Sequence, residues 1–184
     1  MKKIFLTLTK FIVPWMLAGI VTLIIYLSGP YYYTRFSAVL ILFFEIATGE
    51  ITSILIGIGA GLNPILVVLF ITFLESDISI FTAWNFDTLK MVPKIGNSLT
   101  EYEGKAKKFI EKKRLEKIGF IGLLILVMIP VHGTGALAST IIGRLLGFGW
   151  KKTWLCVTTG CAIRSSVIAL LAYSGYLAVI GILP

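Results

Sequence analysis

Ionisable side chains are rare in the apolar stretches of this chain, and several fall where a membrane-spanning segment would bury them. Arg164 lies between "TTGCAI" and "SSVIALLAY". Glu45 and Glu50 bracket "IATG", while Glu75 and Asp77 interrupt "NPILVVLFITFLESDISIFTAW". A charge in hydrocarbon costs several kcal/mol unless it is paired or wetted, so such residues mark ion pairs, proton exchange or ligand recognition. Arg164 is therefore a candidate for binding an anionic headgroup. Glu45, Glu50, Glu75 and Asp77 are candidates for proton exchange; an internal repeat places Asp77 within one position of the equivalent of Arg164, so those two are expected to meet, with Glu45 or Glu50 as competing partners. His132, the single histidine, is a further relay candidate. A hydrogen-bonding filler of a turn is its plainer reading.

A second constellation is "VMIPVHGTGALAST", residues 127 to 140, inside an uncharged apolar run bounded by Lys117 and Arg144. As one straight helix, residues 118 to 143 would be roughly 39 Å long at about 1.5 Å per residue, against a hydrocarbon core of about 30 Å. Pro130 removes a backbone donor, and Gly133 and Gly135 permit a reversal. Two half-helices would also return the basic flanks Lys117, Arg144, Lys151 and Lys152 to one face. The reading is a re-entrant hairpin over 118–147, with a proline-kinked single span as its competitor. The amides following Thr134 would open a half-helix whose positive end suits an anion such as a phosphate. Pro130, Gly133, Thr134 and Gly135 thus join Arg164 as expected substrate-binding residues.

These sites need elements to hold them, and composition decides their kind. The chain is 57% hydrophobic and 14% charged with mean hydropathy +0.94, which excludes an ordinary soluble domain and leaves a single membrane domain. The net charge is +8, and nine lysines and arginines against four glutamates between residues 90 and 117 supply +5 of it. Between apolar segments that run reads as a cytoplasmic basic loop and short helix over 93–117, not as a nucleic-acid surface. Cys156 and Cys161 lack metal or redox spacing. The basic N-terminus and long apolar stretch predict a retained first transmembrane helix over 11–28. Further spans are expected over 63–90, opening at Asn63-Pro64, and over 152–176 after the turn at Gly147 and Gly149.

The segment 36–61 resembles 118–147. Aligning Thr48-Gly49 with Thr134-Gly135, an offset of 86 residues, also aligns Ser53 with Ser139, Gly57 with Gly143, and Gly61 with Gly147. At four-residue spacing these small residues lie on one helix face and allow close packing. The predicted fold is all-α and integral to the membrane. It has an N-terminal helix and two repeats, each a re-entrant hairpin followed by a span. One span separates the hairpins, so they enter from opposite faces as an inverted-topology repeat. The N-terminus and basic loop then fall in the cytoplasm of a multi-pass cell-membrane protein.

"IGFIGLLILVMIPVHGTGALASTIIGRLLGF" resembles the I-P-x-P-G-T-G-A segment of the small multidrug export protein family, and "FEIATGEITSILIGIGAGLNP" resembles that family's first motif, roughly E-L-R-x-x-I-P with a glycine-rich arm. The family is similar to the DedA superfamily, whose kinship implies facing re-entrant hairpins and the movement of lipids or drugs. The motif's arginine position is Ala47, its proline falls at Ile51, and the second motif's second proline is His132. Glu45, Pro130, Gly133, Thr134 and Gly135 are the matching positions.

The expected function is a transporter or flippase of amphipathic substrates, most readily a phosphate-bearing lipid. The alternatives are a proton-coupled exporter of small cationic compounds and a non-transporting membrane scaffold. No nucleophile–base pair or metal constellation is apparent, so neither enzyme activity, cofactor nor metal is expected. Membrane lipids are the expected partners, and the small-residue faces are compatible with a homodimer.

Overall fold

The computed structural model describes residues 2–44, 49–89, 116–129 and 135–179. The expected basic loop from 93 to 115 lies outside them, as do Glu45, Thr48, Pro130, His132, Gly133 and Thr134. Seven helices and no strand occur among the described residues. These are α1 (Lys2–Leu27), α2 (Pro30–Phe43), α3 (Gly49–Gly59), α4 (Pro64–Leu89), α5 (Glu116–Met128), α6 (Ala136–Leu145) and α7 (Trp150–Val179). Three are long and apolar enough to cross a membrane, over Leu8–Leu27, Pro64–Thr88 and Trp150–Leu177. The other four, of 10 to 14 residues, reach roughly 15–21 Å and fall short of a core of about 30 Å.

Local chemistry explains the boundaries. Gly29 at φ 100° breaks the chain after α1, and Pro30 opens α2 at a position where its missing N–H costs nothing. That start precedes the expected one at Phe36. Asn63 Oδ1 accepts the N–H of Ile65 at 2.9 Å, capping α4 with Pro64 as its first residue. Both α3 and α6 close alike. Leu62 N–H reaches Gly57 O and Gly61 N–H reaches Ile58 O, while Phe148 N–H reaches Gly143 O and Gly147 N–H reaches Arg144 O. This six-to-one, five-to-two pairing is the Schellman cap. It needs a left-handed residue, met by Gly61 at φ 87° and Gly147 at φ 84°.

The chain forms two compact units of non-contiguous segments, one of Leu17–Leu74 with Ala162–Pro184 and the other of Met1–Met16 with Glu75–Cys161. In the first, α2 and α3 pack as an antiparallel hairpin. Ser53 Oγ donates to Val39 O at 2.9 Å, and a Cβ on Gly57 would come 3.1 Å from both Val39 and Val67. At the closed end Gly49 tolerates no Cβ, which would run into Phe43 O. The core there gathers Phe36, Val39, Ile54, Ile58, Val67 and Ile71. In the second unit α5 and α6 pair likewise. A Cβ on Gly143 would come 2.8 Å from Leu123 and 2.7 Å from Thr153. Its core gathers Leu123, Val127, Ala136, Phe148 and Val157.

The 86-residue offset carries the starts of α2 and α4, Pro30 and Pro64, onto those of α5 and α7, Glu116 and Trp150. It also pairs buried positions: Ser53 with Ser139, Val67 with Thr153, Ile71 with Val157, Ser79 with Ser165, and Ala83 with Ala169.

Candidate functional site

The short helix α3 delivers Glu50 in its first turn, one residue after the close approach at Gly49. The long helix α7 delivers Arg164 and Ser165 side by side, both buried. Arg164 Nη2 lies 2.6 Å from Glu50 Oε2, and Ser165 Oγ donates to Glu50 Oε1 at 2.8 Å. Each carboxylate oxygen thus has a donor, one charged and one neutral. The short charged contact is the stronger kind, and a low local dielectric reinforces it. One helical turn beyond, Ile54 on α3 and Ile168 and Ala169 on α7 belong to the apolar core of the same unit, which limits water around the pair. Its two members are not equally enclosed: 2% of the Arg164 side chain is exposed against 14% of Glu50.

Two arginines of the hairpins serve their C-termini instead. Arg35 Nε donates to Ala60 O at 2.7 Å with its guanidinium 3.7 Å over the Tyr31 ring, and Tyr31 OH donates to Gly61 O at 3.0 Å. In the other unit Arg144 donates to Phe148 O at 3.0 Å and to both oxygens of Asp87 at 3.1 Å. Cations there satisfy carbonyls that a helix end leaves over and oppose its dipole. Tyr31 and Arg35 explain why α2 extends back to Pro30, since both grip the end of α3.

Among the sequence-selected residues, Glu50 and Arg164 come together. Glu75 is buried on α4. Asp77, on the same helix, has a buried Oδ1 with no hydrogen-bond partner among the described residues. Both belong to the unit that does not hold Arg164. Gly135 precedes α6, and its carbonyl accepts Ser139 N–H at 3.1 Å. Ser53, Gly57, Ser139 and Gly143 are buried along their arms, while Gly61 and Gly147 make the caps.

Sequence reasoning missed the hydroxyls. Ser165 was not singled out, nor Ser79, whose Oγ lies 2.8 Å from Thr140 Oγ1 on α6. Ser76 was also missed, although it accepts from Trp154 Nε1 at 2.9 Å and from Thr158 Oγ1 at 3.2 Å. The offset held the signal, because it carries Ser79 onto Ser165. In each unit this buried serine reaches the second arm of that unit's hairpin, a neutral Thr140 in one and an acidic Glu50 in the other. No group of three or more potential metal ligands occurs among the described residues.

Residues 50–167 match the model of the family described as "Putative small multi-drug export protein". The matched stretch contains Glu50, Arg164 and Ser165. No curated protein and no solved structure matches the chain.

Proposed function

Because the chain belongs to the small multi-drug export protein family, we propose that it exports small amphipathic cations, driven by protons that exchange at Glu50. The supporting observation is the unequal enclosure of the ion pair. A ligand approaching from outside meets the carboxylate, 14% exposed, before the guanidinium, 2% exposed. A cation or a proton can engage Glu50, whereas a lipid phosphate would have to reach a buried Arg164 already balanced by a carboxylate. In this reading the two hairpins are re-entrant and enter from opposite faces as an inverted repeat, with kinship to the DedA superfamily. The repeated starts and Schellman caps support the repeat, and the shortness of the arms supports re-entry. The N-terminus and basic loop face the cytoplasm of a cell membrane.

The test is transport in proteoliposomes under an imposed proton gradient. A fluorescent monovalent organic cation should be moved by the wild-type protein, and Glu50→Gln should slow it. Losing a buried charge partner costs about 2–5 kcal/mol, so the fall should be ~30-fold or more. Movement of a fluorescent polyprenyl phosphate that needs Arg164, with no cation movement, would replace this reading by lipid-phosphate transport. If neither probe moves faster than in protein-free vesicles, a non-transporting assembly role takes its place.

A further inference from the structure

We propose that Asp77 anchors a bulky organic monocation in the second compact unit, on a face of α4 where aromatic residues border the carboxylate. The assignment rests on the cation-export reading and adds where the exported cation is held, leaving the proton to Glu50. Asp77 stands near the middle of the apolar span Pro64–Thr88. Its Oδ1 is buried without a hydrogen-bond partner among the described residues, while the residue as a whole is half-buried and so within reach of a ligand. A carboxylate at that depth calls for a counter-charge. Two basic side chains of the same unit are committed elsewhere: Arg144 pairs with Asp87 at 3.1 Å, and the Lys151 ammonium lies 5.5 Å over the Trp150 ring.

Helix register shows what borders Asp77. At about 100° per residue, it falls between two positions of α4 that meet α1 and two that meet α7. On the first side, the Phe81 ring stands edge-on to Phe11 at 5.4 Å, and Asn85 Nδ2 donates to Lys10 O at 3.3 Å. On the other, the Trp84 ring meets Trp150 at 5.3 Å, and Ser76 Oγ accepts from Trp154 Nε1 at 2.9 Å. The carboxylate thus lies on a strip of α4 flanked by the first part of α1 and by α7. Phe81, one turn on, and Trp84, two turns on, share its face.

That combination selects the ligand. A negative carboxylate beside aromatic rings suits an organic cation whose charge is spread over apolar groups. A hard metal ion would want about six oxygen ligands, and this strip is mostly apolar. Glu75, two residues earlier, falls about 160° around α4. A single carboxylate of α4 therefore faces the strip, which matches a single positive charge.

Equilibrium binding of tetraphenylphosphonium to the purified full-length protein in micelles at one pH tests this. Asp77→Asn removes a charge whose Oδ1 has no partner to strand, so it should fold, and it should weaken binding about thirtyfold or more. Phe81→Leu keeps apolar bulk but loses the ring, and should weaken binding about fivefold. Glu50→Gln should bind close to wild type. A folded Asp77→Asn that binds as tightly as wild type overturns the site. If Asp77→Asn fails to fold, Phe81→Leu carries the test, and an unchanged affinity there overturns it. Loss of binding on Glu50→Gln with none on Asp77→Asn moves the cation to Glu50 and leaves export standing. Wild-type protein that binds no tetraphenylphosphonium overturns the site, and the export reading falls with it only if proteoliposomes also move no organic cation.

Discussion

Removing Glu50 takes a carboxylate from Arg164, and removing Arg164 leaves Glu50 with a neutral donor, in a largely enclosed site. Breaking such a pair from one side typically costs about 3–5 kcal/mol, while replacing both partners by neutral groups of similar size is often close to neutral. Glu50→Gln should therefore lower the stability of the protein in micelles by that order, and the double variant Glu50→Gln with Arg164→Met should recover most of the loss. Thermal unfolding of the two variants side by side reads the difference. A double variant that loses as much as Glu50→Gln and Arg164→Met lose separately, added together, would show that the two side chains do not depend on each other. Arg164 was legible in the sequence because nothing around it justified a charge. Its partner was not, since Glu45, Glu50 and Asp77 were all admissible. Ser165 stayed hidden for a related reason: a hydroxyl in an apolar helix is inexpensive, so its presence carries little information until its neighbour is known.

Glycines at the ends of α3 and α6 carry the turns by conformation, not by lack of space. Gly61 and Gly147 sit at φ 87° and φ 84°, where an L-residue pays about 1–2 kcal/mol. Alanine at either position should cost that amount, and similar amounts at both, because the two caps share one hydrogen-bond pattern. Gly59 is the contrast. It is helical with nothing within 4 Å of an added Cβ, so Gly59→Ala should be neutral or raise stability by up to about 1 kcal/mol. Unfolding of the three variants checks both signs. These turns were readable from glycine placement and from Asn63-Pro64. The early start of α2 was not, because the value of Tyr31 and Arg35 lies in carbonyls of Ala60 and Gly61 that are some 25 to 30 residues distant.

Across the whole chain, topology is open to direct measurement. Cys156 and Cys161 are buried, so single cysteines introduced elsewhere give clean labelling. Under the proposed orientation, cysteine at Lys105 should react with an impermeant thiol reagent only from the cytoplasmic side. Cysteine at Tyr32, exposed after the first span, should react only from outside. Labelling of both from the same side would contradict an odd number of crossings between them and with it the inverted arrangement.

Apolar length and scarce charge were enough to anticipate that the described residues form helices, three of them long and apolar enough to cross a membrane. Those features are one-dimensional: a helix long enough to cross a membrane, or a glycine where the backbone must turn left-handed, is written locally. The pairing of Glu50 with Arg164, the hydroxyl of Ser165 on the same carboxylate, and the guanidinium lying deeper than the carboxylate were decided by tertiary structure. Each depends on the rotational phase of α7 against α3, set by packing of Ile54, Val67 and Ala169 within one core. A rotation of a single residue, about 100° on a helix of 3.6 residues per turn, would have turned Arg164 away from Glu50 altogether.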